Sequence, residues 1–204
     1  MKISKILLAA AALCAAMGAN AQVSGVAVGS SSGTFLQLSS TGLSGGSIAT
    51  LDGGTVYTQD QPFADIPKGG IFGGNFLAAG PTSGAPATLS FLNGGVGFIS
   101  FLWGSPDVYN KLTVTSTGGL TQLFDSTNIT FASTTGNQAY SQYVQFTGLN
   151  GAKITSLSFN NVPSTDAFES ANYSITPVPE PETYALLLAG LGAVAFVARR
   201  RRNK

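Results

Sequence analysis

Carboxylates are the side chains with the clearest chemical potential in this 204-residue chain, because the sequence contains no histidine. The absence of histidine excludes Ser-His-Asp and Cys-His catalysis, and it excludes zinc sites of the His/Cys type. Carboxylate oxygens are ligands that calcium prefers. The candidate ligands for a structural calcium are Asp52, Asp60 and Asp65, which are near one another in the sequence, and Asp166 with Glu169 further on. Of these we favour Asp52, Asp166 and Glu169, although the spacing matches no EF-hand or RTX loop. Solvated loop carboxylates are the alternative interpretation, and no other cofactor is expected.

A pair of the same carboxylates could hydrolyse glycosides. That reaction needs two carboxyl groups roughly 5 to 10 Å apart. Seven acidic residues lie between positions 22 and 176, so a pair at this separation would arise in almost any fold and the spacing selects none. We therefore predict no catalytic residue and no enzymatic activity, and a small secreted hydrolase stays open as an alternative.

Two aromatic residues, Trp103 and Tyr109, lie close together in the sequence and could form a stacking platform for a sugar ring. Such a platform would make the chain a carbohydrate-binding module. Large aromatic side chains more often serve burial, so packing in the core is the other interpretation of both residues.

The elements that must position these side chains are predicted to be β-strands. Helix-forming Glu, Lys, Arg and Gln are scarce, whereas β-branched and aromatic residues recur in short groups separated by Gly, Asn or Pro. Asn93-Gly94 and Asn150-Gly151 are the best hairpin signals, because Asn and Gly accept the positive φ of tight turns. The candidate strands cover residues 25–28, 34–38, 47–51, 55–57, 71–77, 88–92, 96–103, 109–116, 128–131, 141–146, 153–160 and 167–175. This pattern predicts an all-β fold, a single β-sandwich or jelly-roll-like domain over residues 22–176.

Two of these candidate strands have informative patterns. Residues 96–103 are apolar on both faces, which is typical of a central strand in the core. Residues 167–175 follow a simple alternation, which places Glu169 and Tyr173 on one face of the strand and Phe168 on the other.

Residues 1–21 have the pattern of a secretory signal peptide. Lys2 and Lys5 supply the basic start, and an apolar run follows them. Ala19 and Ala21 fit the small-x-small pattern of a cleavage site, so signal peptidase is expected to cut after Ala21. We therefore expect export from the cytoplasm.

Removal of the signal peptide changes the chemistry of the chain. The only cysteine, Cys14, lies in this segment, so the mature protein is expected to form no disulfide. The whole chain has a formal charge of +1, but residues 22–176 contain three lysines and seven acidic residues, which gives this part a charge of −4. Binding to a phosphate backbone requires clustered Lys and Arg, so nucleic acid is not an expected partner.

The tail, residues 177–204, combines a proline-rich spacer, an apolar helix and a basic end. The prolines hold the spacer extended, which displays Glu180 to a protein partner. Residues 184–198 carry no charge and are predicted to form a transmembrane helix about 22 Å long, which is short for a hydrocarbon core of ~30 Å. The basic end, 199–204, begins with the stop-transfer residues Arg199, Arg200, Arg201 and Arg202. This cluster places the C-terminal end in the cytoplasm, so we expect a transient membrane span.

The order of residues in the tail closely resembles that of the PEP-CTERM proteins, which are exosortase substrates of Gram-negative bacteria. The resemblance rests on Val178-Pro-Glu-Pro-Glu-Thr-Tyr-Ala-Leu-Leu-Leu-Ala-Gly-Leu-Gly192 and the arginines that follow. It implies that an exosortase recognises Pro179, Glu180 and Pro181 and cuts near them. The family further implies a place at the cell surface or in the extracellular matrix, in association with exopolysaccharide and biofilm.

The body of the chain resembles exosortase-dependent surface proteins through residues 101–110 and through Asp166-Ala-Phe-Glu169. This second resemblance implies a similar fold for the ectodomain and no particular activity. The sequence as a whole therefore predicts an exported, non-enzymatic surface or matrix protein.

Overall fold

The computed structural model describes residues 22–161, 163, 166–175 and 190–191. The predicted signal cleavage site, the Pro-Glu-Pro segment and the arginine cluster lie outside these residues. The predicted membrane helix 184–198 does too, apart from Gly190 and Leu191, which are helical. Within the described ranges, no helix has the length and apolar character needed to cross a membrane.

The described residues form two antiparallel sheets, which confirms the predicted all-β sandwich. The strands are β1 (Val23–Val28), β2 (Thr34–Phe35), β3 (Leu38–Ser39), β4 (Gly42–Leu43), β5 (Ala49–Asp52), β6 (Thr55–Tyr57), β7 (Phe76–Ala79), β8 (Ala87–Phe91), β9 (Phe98–Gly104), β10 (Asn110–Ser116), β11 (Thr121–Phe124), β12 (Ser141–Gly148), β13 (Ile154–Asn161) and β14 (Phe168–Ile175). The first sheet has the order β1-β12-β9-β14-β7-β6, with β2 also paired to β14. The second sheet has the order β11-β10-β13-β8-β5-β4-β3.

The strands follow the period-two pattern of the sequence. In β10 the side chains of Leu112 and Val114 are completely buried, while Lys111, Thr113 and Thr115 alternate with them and are half-buried. β-Branched residues suit such a pleated, half-buried surface, and the apolar set on one face can pack against the other sheet. The alternation therefore determines which face of the strand enters the core.

The core between the sheets is rich in aromatic rings. Phe101 of β9 lies 5.8 Å from Phe146 of β12 and 5.4 Å from Phe159 of β13 in the opposite sheet, measured between ring centroids. Residues of β9 are buried on both faces, which confirms the prediction that 96–103 contains a central strand. Aromatic pairs at these separations add to the stabilisation that burial provides.

The last strand departs from simple alternation because of a bulge at Asn172. This residue has φ of 54°, and the pairing of β14 with β9 shifts register between Ala171 and Ser174. The extra residue turns Tyr173 into the main core together with Phe168, so the prediction that Tyr173 shares a face with Glu169 was wrong. The Asn172 side chain fixes the bulge: its Nδ2 donates to the Gly70 carbonyl and to the Tyr143 hydroxyl.

The two segments that were predicted to close hairpins are turns, but they connect strands of different sheets. Asn93 and Asn150 do have positive φ, 52° and 54°, as expected of tight turns. However, the first turn joins β8 to β9 and the second joins β12 to β13, and in both cases the two strands belong to different sheets. Turn chemistry fixes where the chain reverses, but long-range packing selects the strand that pairs.

A few strand predictions were wrong. Residues 128–131 form no strand: a turn over 126–128 overlaps their start, and the N–H groups of Asn128 and Ile129 donate to the carbonyl oxygen of Asp125. The sequence did not predict β4, which pairs with β3 and β5 inside a segment interpreted as a loop, or β11, which pairs with β10.

Candidate functional site

A small cleft lies beside the start of β14, in the first sheet. It is surrounded by the loop after β9, by the start of β14 and by the loop residues Phe63, Gly136 and Gln138. The polar side chains that line the cleft are Ser105, Asp107, Gln138, Asp166 and Glu169. Its volume is about 30 Å³, which is room for a water molecule or a single metal cation.

Glu169 is the most deeply buried acidic residue of the cleft, with 4% of its surface exposed. Its Oε1 atom accepts a long hydrogen bond of 3.4 Å from the backbone N–H of Asp65. The other oxygen, Oε2, is buried and has no hydrogen-bond partner. Burial raises the pKa of Glu169 to about 8, and the nearby charges of Asp65 and Asp107 act in the same direction.

Asp107 stands beside Glu169 and is held by its own loop. Its Oδ1 accepts hydrogen bonds from the N–H groups of Tyr109, at 2.6 Å, and Asn110, at 2.7 Å. Burial raises the pKa of Asp107, and the charge of Asp166 adds to that effect. The pKa of Asp65 is also raised, by burial and by the charges of Asp60 and Asp166. The acidic groups around the cleft therefore repel one another electrostatically.

Gly104 makes room for the Glu169 side chain. A Cβ atom on Gly104 would lie 2.8 Å from Cβ of Glu169, which is closer than real Cβ atoms approach, and a tight 3.1 Å from Cγ of Pro67. The residue at the end of β9 must therefore be small for β14 to carry a glutamate at this position. A glycine at a close approach of this kind is a packing requirement that the fold imposes.

No basic side chain among the described residues lines the cleft. Lys111 instead forms a salt bridge of 2.7 Å with Asp125, a carboxylate that has no part in the cleft. Burial alone would raise the pKa of Asp125, but hydrogen bonds from Lys111 and Thr127 lower it overall. The Asp125 carboxylate thus has hydrogen-bond partners that stabilise its charge, whereas one oxygen of the Glu169 carboxylate has none among the described residues.

The proposed aromatic platform is not present as a pair. Trp103 is completely buried: its ring stacks on Phe168 with centroids 4.2 Å apart, and its Nε1–H donates to Oδ1 of Asn110 at 3.2 Å. A ring with no exposed surface cannot stack on a sugar from solvent, so the core interpretation of Trp103 is correct. Tyr109 is 43% exposed and lies in the loop after β9.

The three candidate calcium ligands do not come together as a set. Asp52 ends β5 in the second sheet and is exposed, whereas Asp166 and Glu169 both line the cleft beside the first sheet. Asp52 therefore cannot share a calcium ion with Asp166 and Glu169, because the fold places it in the other sheet. In the described part of the chain, no three acidic, histidine or cysteine side chains are arranged around one metal position.

Asp107 is the acidic residue of the cleft that sequence reasoning missed, and Ser105 and Gln138 were missed with it. The signal that could have found Asp107 is local, because it follows Pro106 and its side chain accepts hydrogen bonds from the N–H groups two and three residues later, which is typical of a turn closed by an aspartate. Its position next to Glu169 could not be predicted from the sequence, because the two residues come together only in the folded sandwich.

Comparison with family models gives a match over residues 177–202 to the PEP-CTERM protein-sorting motif. Comparison with curated proteins and with solved structures gives no match. The resemblance seen in the tail is therefore confirmed, and the resemblance of the body to exosortase-dependent surface proteins stays a prediction. This motif implies export and processing by an exosortase, and the chain is a protein that carries a PEP-CTERM sorting motif at residues 177–202.

Proposed function

We propose that this chain is a non-enzymatic protein of the cell surface or extracellular matrix of a Gram-negative bacterium, associated with exopolysaccharide and biofilm. The observation that carries this proposal is the sorting motif at residues 177–202. Signal peptidase first removes residues 1–21, and the chain then sits transiently in the inner membrane. An exosortase recognises Pro179, Glu180 and Pro181 and separates the sandwich from its membrane segment.

The sandwich has features that suit a structural role. Its aromatic side chains are largely used in the core, and its cleft has room for about one water molecule or cation. A glycoside hydrolase must instead bind a sugar between two carboxyl groups. These points favour a matrix protein over the hydrolase alternative.

Contact with polysaccharide is the finer part of the proposal. Tyr109 and its neighbour Val108 are exposed, at 43% and 54%, and give the surface one apolar place where a sugar ring could pack. The carbohydrate-binding alternative now depends on Tyr109 without Trp103. It predicts saturable binding of the protein to polysaccharide from its own host, with loss of that binding in Tyr109→Ala.

The experiment that tests the proposed location is fractionation of the producing bacterium. Antibodies against the sandwich would follow the protein in the inner membrane, at the cell surface and in the matrix, in wild-type and exosortase-deletion strains. We expect the matrix and surface signal to disappear in the deletion strain, with accumulation of the protein in the inner membrane. An unchanged distribution would contradict exosortase-dependent sorting.

The non-enzymatic role has a test of its own. Protein purified from the matrix would be incubated with the polysaccharide of the host and with a panel of oligosaccharides, and the products would be separated by chromatography. We expect no cleavage with wild-type protein. Cleavage that disappears in Glu169→Gln would establish the hydrolase alternative instead.

A further inference from the structure

We propose that the cleft beside β14 binds a calcium ion, with the Glu169 carboxylate as its principal anionic ligand. The cleft contains a buried carboxylate oxygen, Oε2 of Glu169, that has no hydrogen-bond partner among the described residues. A buried carboxyl oxygen that is left without a hydrogen-bond partner is destabilising. A bound cation would supply the missing interaction at that atom.

The electrostatics of the cleft select a cation over other ligands. The carboxylates of Asp107 and Asp166 also line it, and no basic side chain among the described residues does. The carboxylates of Asp107 and Glu169 make the potential in the cleft negative when they are ionised, which favours a positively charged ligand.

Calcium fits the donors better than magnesium does. Calcium accepts six to eight oxygen ligands in flexible geometry, including carboxylates, amide and backbone carbonyls, and water. Besides the carboxylates, the cleft offers the side-chain oxygens of Ser105 and Gln138. Because no three acidic side chains among the described residues surround one point, the site would combine few carboxylates with neutral oxygens. Such a mixed, irregular set suits calcium and does not meet the strict octahedral demand of magnesium.

The ion would connect segments that are far apart in the sequence. Asp107 belongs to the loop after β9, Gln138 to the loop before β12, and Glu169 to β14. Binding to the folded state alone raises the stability of the sandwich by mass action. This inference does not depend on exosortase processing, so the two can fail separately.

The test is thermal unfolding of the protein purified from the producing bacterium, after chelation with EDTA and then with added CaCl₂. We expect the midpoint to rise by about 4 °C or more, with half of the effect at about 0.1 to 1 mM calcium, the range of extracellular calcium modules. The Glu169→Gln variant keeps the shape of the side chain without its charge, and we expect it to lose the calcium-dependent rise. Asp107→Asn is expected to weaken the rise.

The matched control is Asp52→Asn, which removes an exposed carboxylate from the other sheet and should leave the calcium response as in the wild type. Circular dichroism in EDTA reports whether each variant is folded, and Asp107→Asn carries the test if Glu169→Gln does not fold. An identical midpoint with and without calcium in the wild-type protein would overturn the proposal. So would a full response in Glu169→Gln, or an equal response to magnesium at the same concentration.

Discussion

Glu169 and Glu180 belong to two regions whose functional residues are arranged differently along the sequence. Glu169 lies on β14, and the groups around it, Asp65 and Asp107, reach it only through the fold. Glu180 is flanked by Pro179 and Pro181, and the apolar and basic parts of the sorting motif follow it directly in the sequence. The site in the sandwich must be assembled, whereas the sorting motif is a continuous segment.

This difference has a consequence for mutations. A partner that reads a continuous extended segment depends on the side chains of that segment, so changes there should affect processing and leave the sandwich equally stable. A site assembled by packing depends on the whole core, so changes there should affect stability and ligand binding without altering the sorting motif.

Replacing Pro179, Glu180 and Pro181 together by alanine is expected to abolish processing in the producing bacterium. The extended display of the glutamate is then lost with its side chain, so the exosortase has nothing to bind. An immunoblot against the sandwich would show the longer precursor only. The control Glu182→Ala changes a neighbouring glutamate outside this triplet and should be processed normally. Normal processing of the triple variant would show that recognition lies elsewhere.

Trp103→Ala is expected to lower the free energy of unfolding by about 3 to 5 kcal/mol, because it removes a fully buried ring from the aromatic core. Urea denaturation followed by circular dichroism would measure the loss. Tyr109→Ala, six positions along but at the surface, should change stability by no more than about 0.5 kcal/mol. Equal effects of the two substitutions would contradict the placement of Trp103 in the core.

Glu169 is expected to make the stability of calcium-free protein depend on pH. Burial raises its pKa from 4.5 to about 8 in the folded state. Below pH 4.5 the Glu169 carboxyl is protonated in both the folded and the unfolded protein. Between pH 4.5 and about 8 only the folded protein keeps this proton. The free energy of unfolding therefore falls as pH rises through this window. Glu169→Gln should remove this slope and gain about 4 kcal/mol at pH 8 in EDTA. Urea denaturation at several pH values would show it, and an unchanged slope in the variant would refute the assignment.

Asp125 is expected to behave in the opposite way, with a smaller effect. Burial raises its pKa, but hydrogen bonds from Lys111 and Thr127 outweigh burial and lower it. The carboxylate therefore stabilises the fold at neutral pH, and that contribution is lost as pH falls through its folded pKa, below the ordinary value of 3.8. Asp125→Asn should cost about 1 to 2 kcal/mol at pH 7 and much less in strong acid. The exposed Asp52→Asn should be neutral at both pH values, and an equal cost in acid would exclude this linkage.

Much of the fold could be predicted from the sequence because it depends on local patterns. The alternation of Leu112 and Val114 with polar residues defined β10, and the apolar character of both faces identified β9 as central. The pairing of strands was not predictable in the same way. The turns at Asn93 and Asn150 were identified correctly as turns, but they lead from one sheet to the other, and the contacts that decide this come from distant strands.

The candidate cleft was predictable only in part. Glu169 was singled out as an acidic residue near the end of the body, but its partner Asp107 was not, and Asp52 was grouped with it wrongly. The bulge at Asn172 shows the same limit, since one residue with positive φ reverses the facing of Tyr173. The Asn172 side chain fixes this bulge by hydrogen bonds to Gly70 and Tyr143, which are distant in the sequence, so the periodicity of the strand could not predict the bulge.

The measurement that tests the central claim most directly is mass spectrometry of the mature protein from cells with and without their exosortase, reporting both termini. We predict that the wild-type strain yields a protein that begins at Gln22 and ends near Pro179, Glu180 and Pro181. The deletion strain should yield a protein that begins at the same residue and still carries Lys204. A C-terminus at Lys204 in both strains would contradict processing by an exosortase.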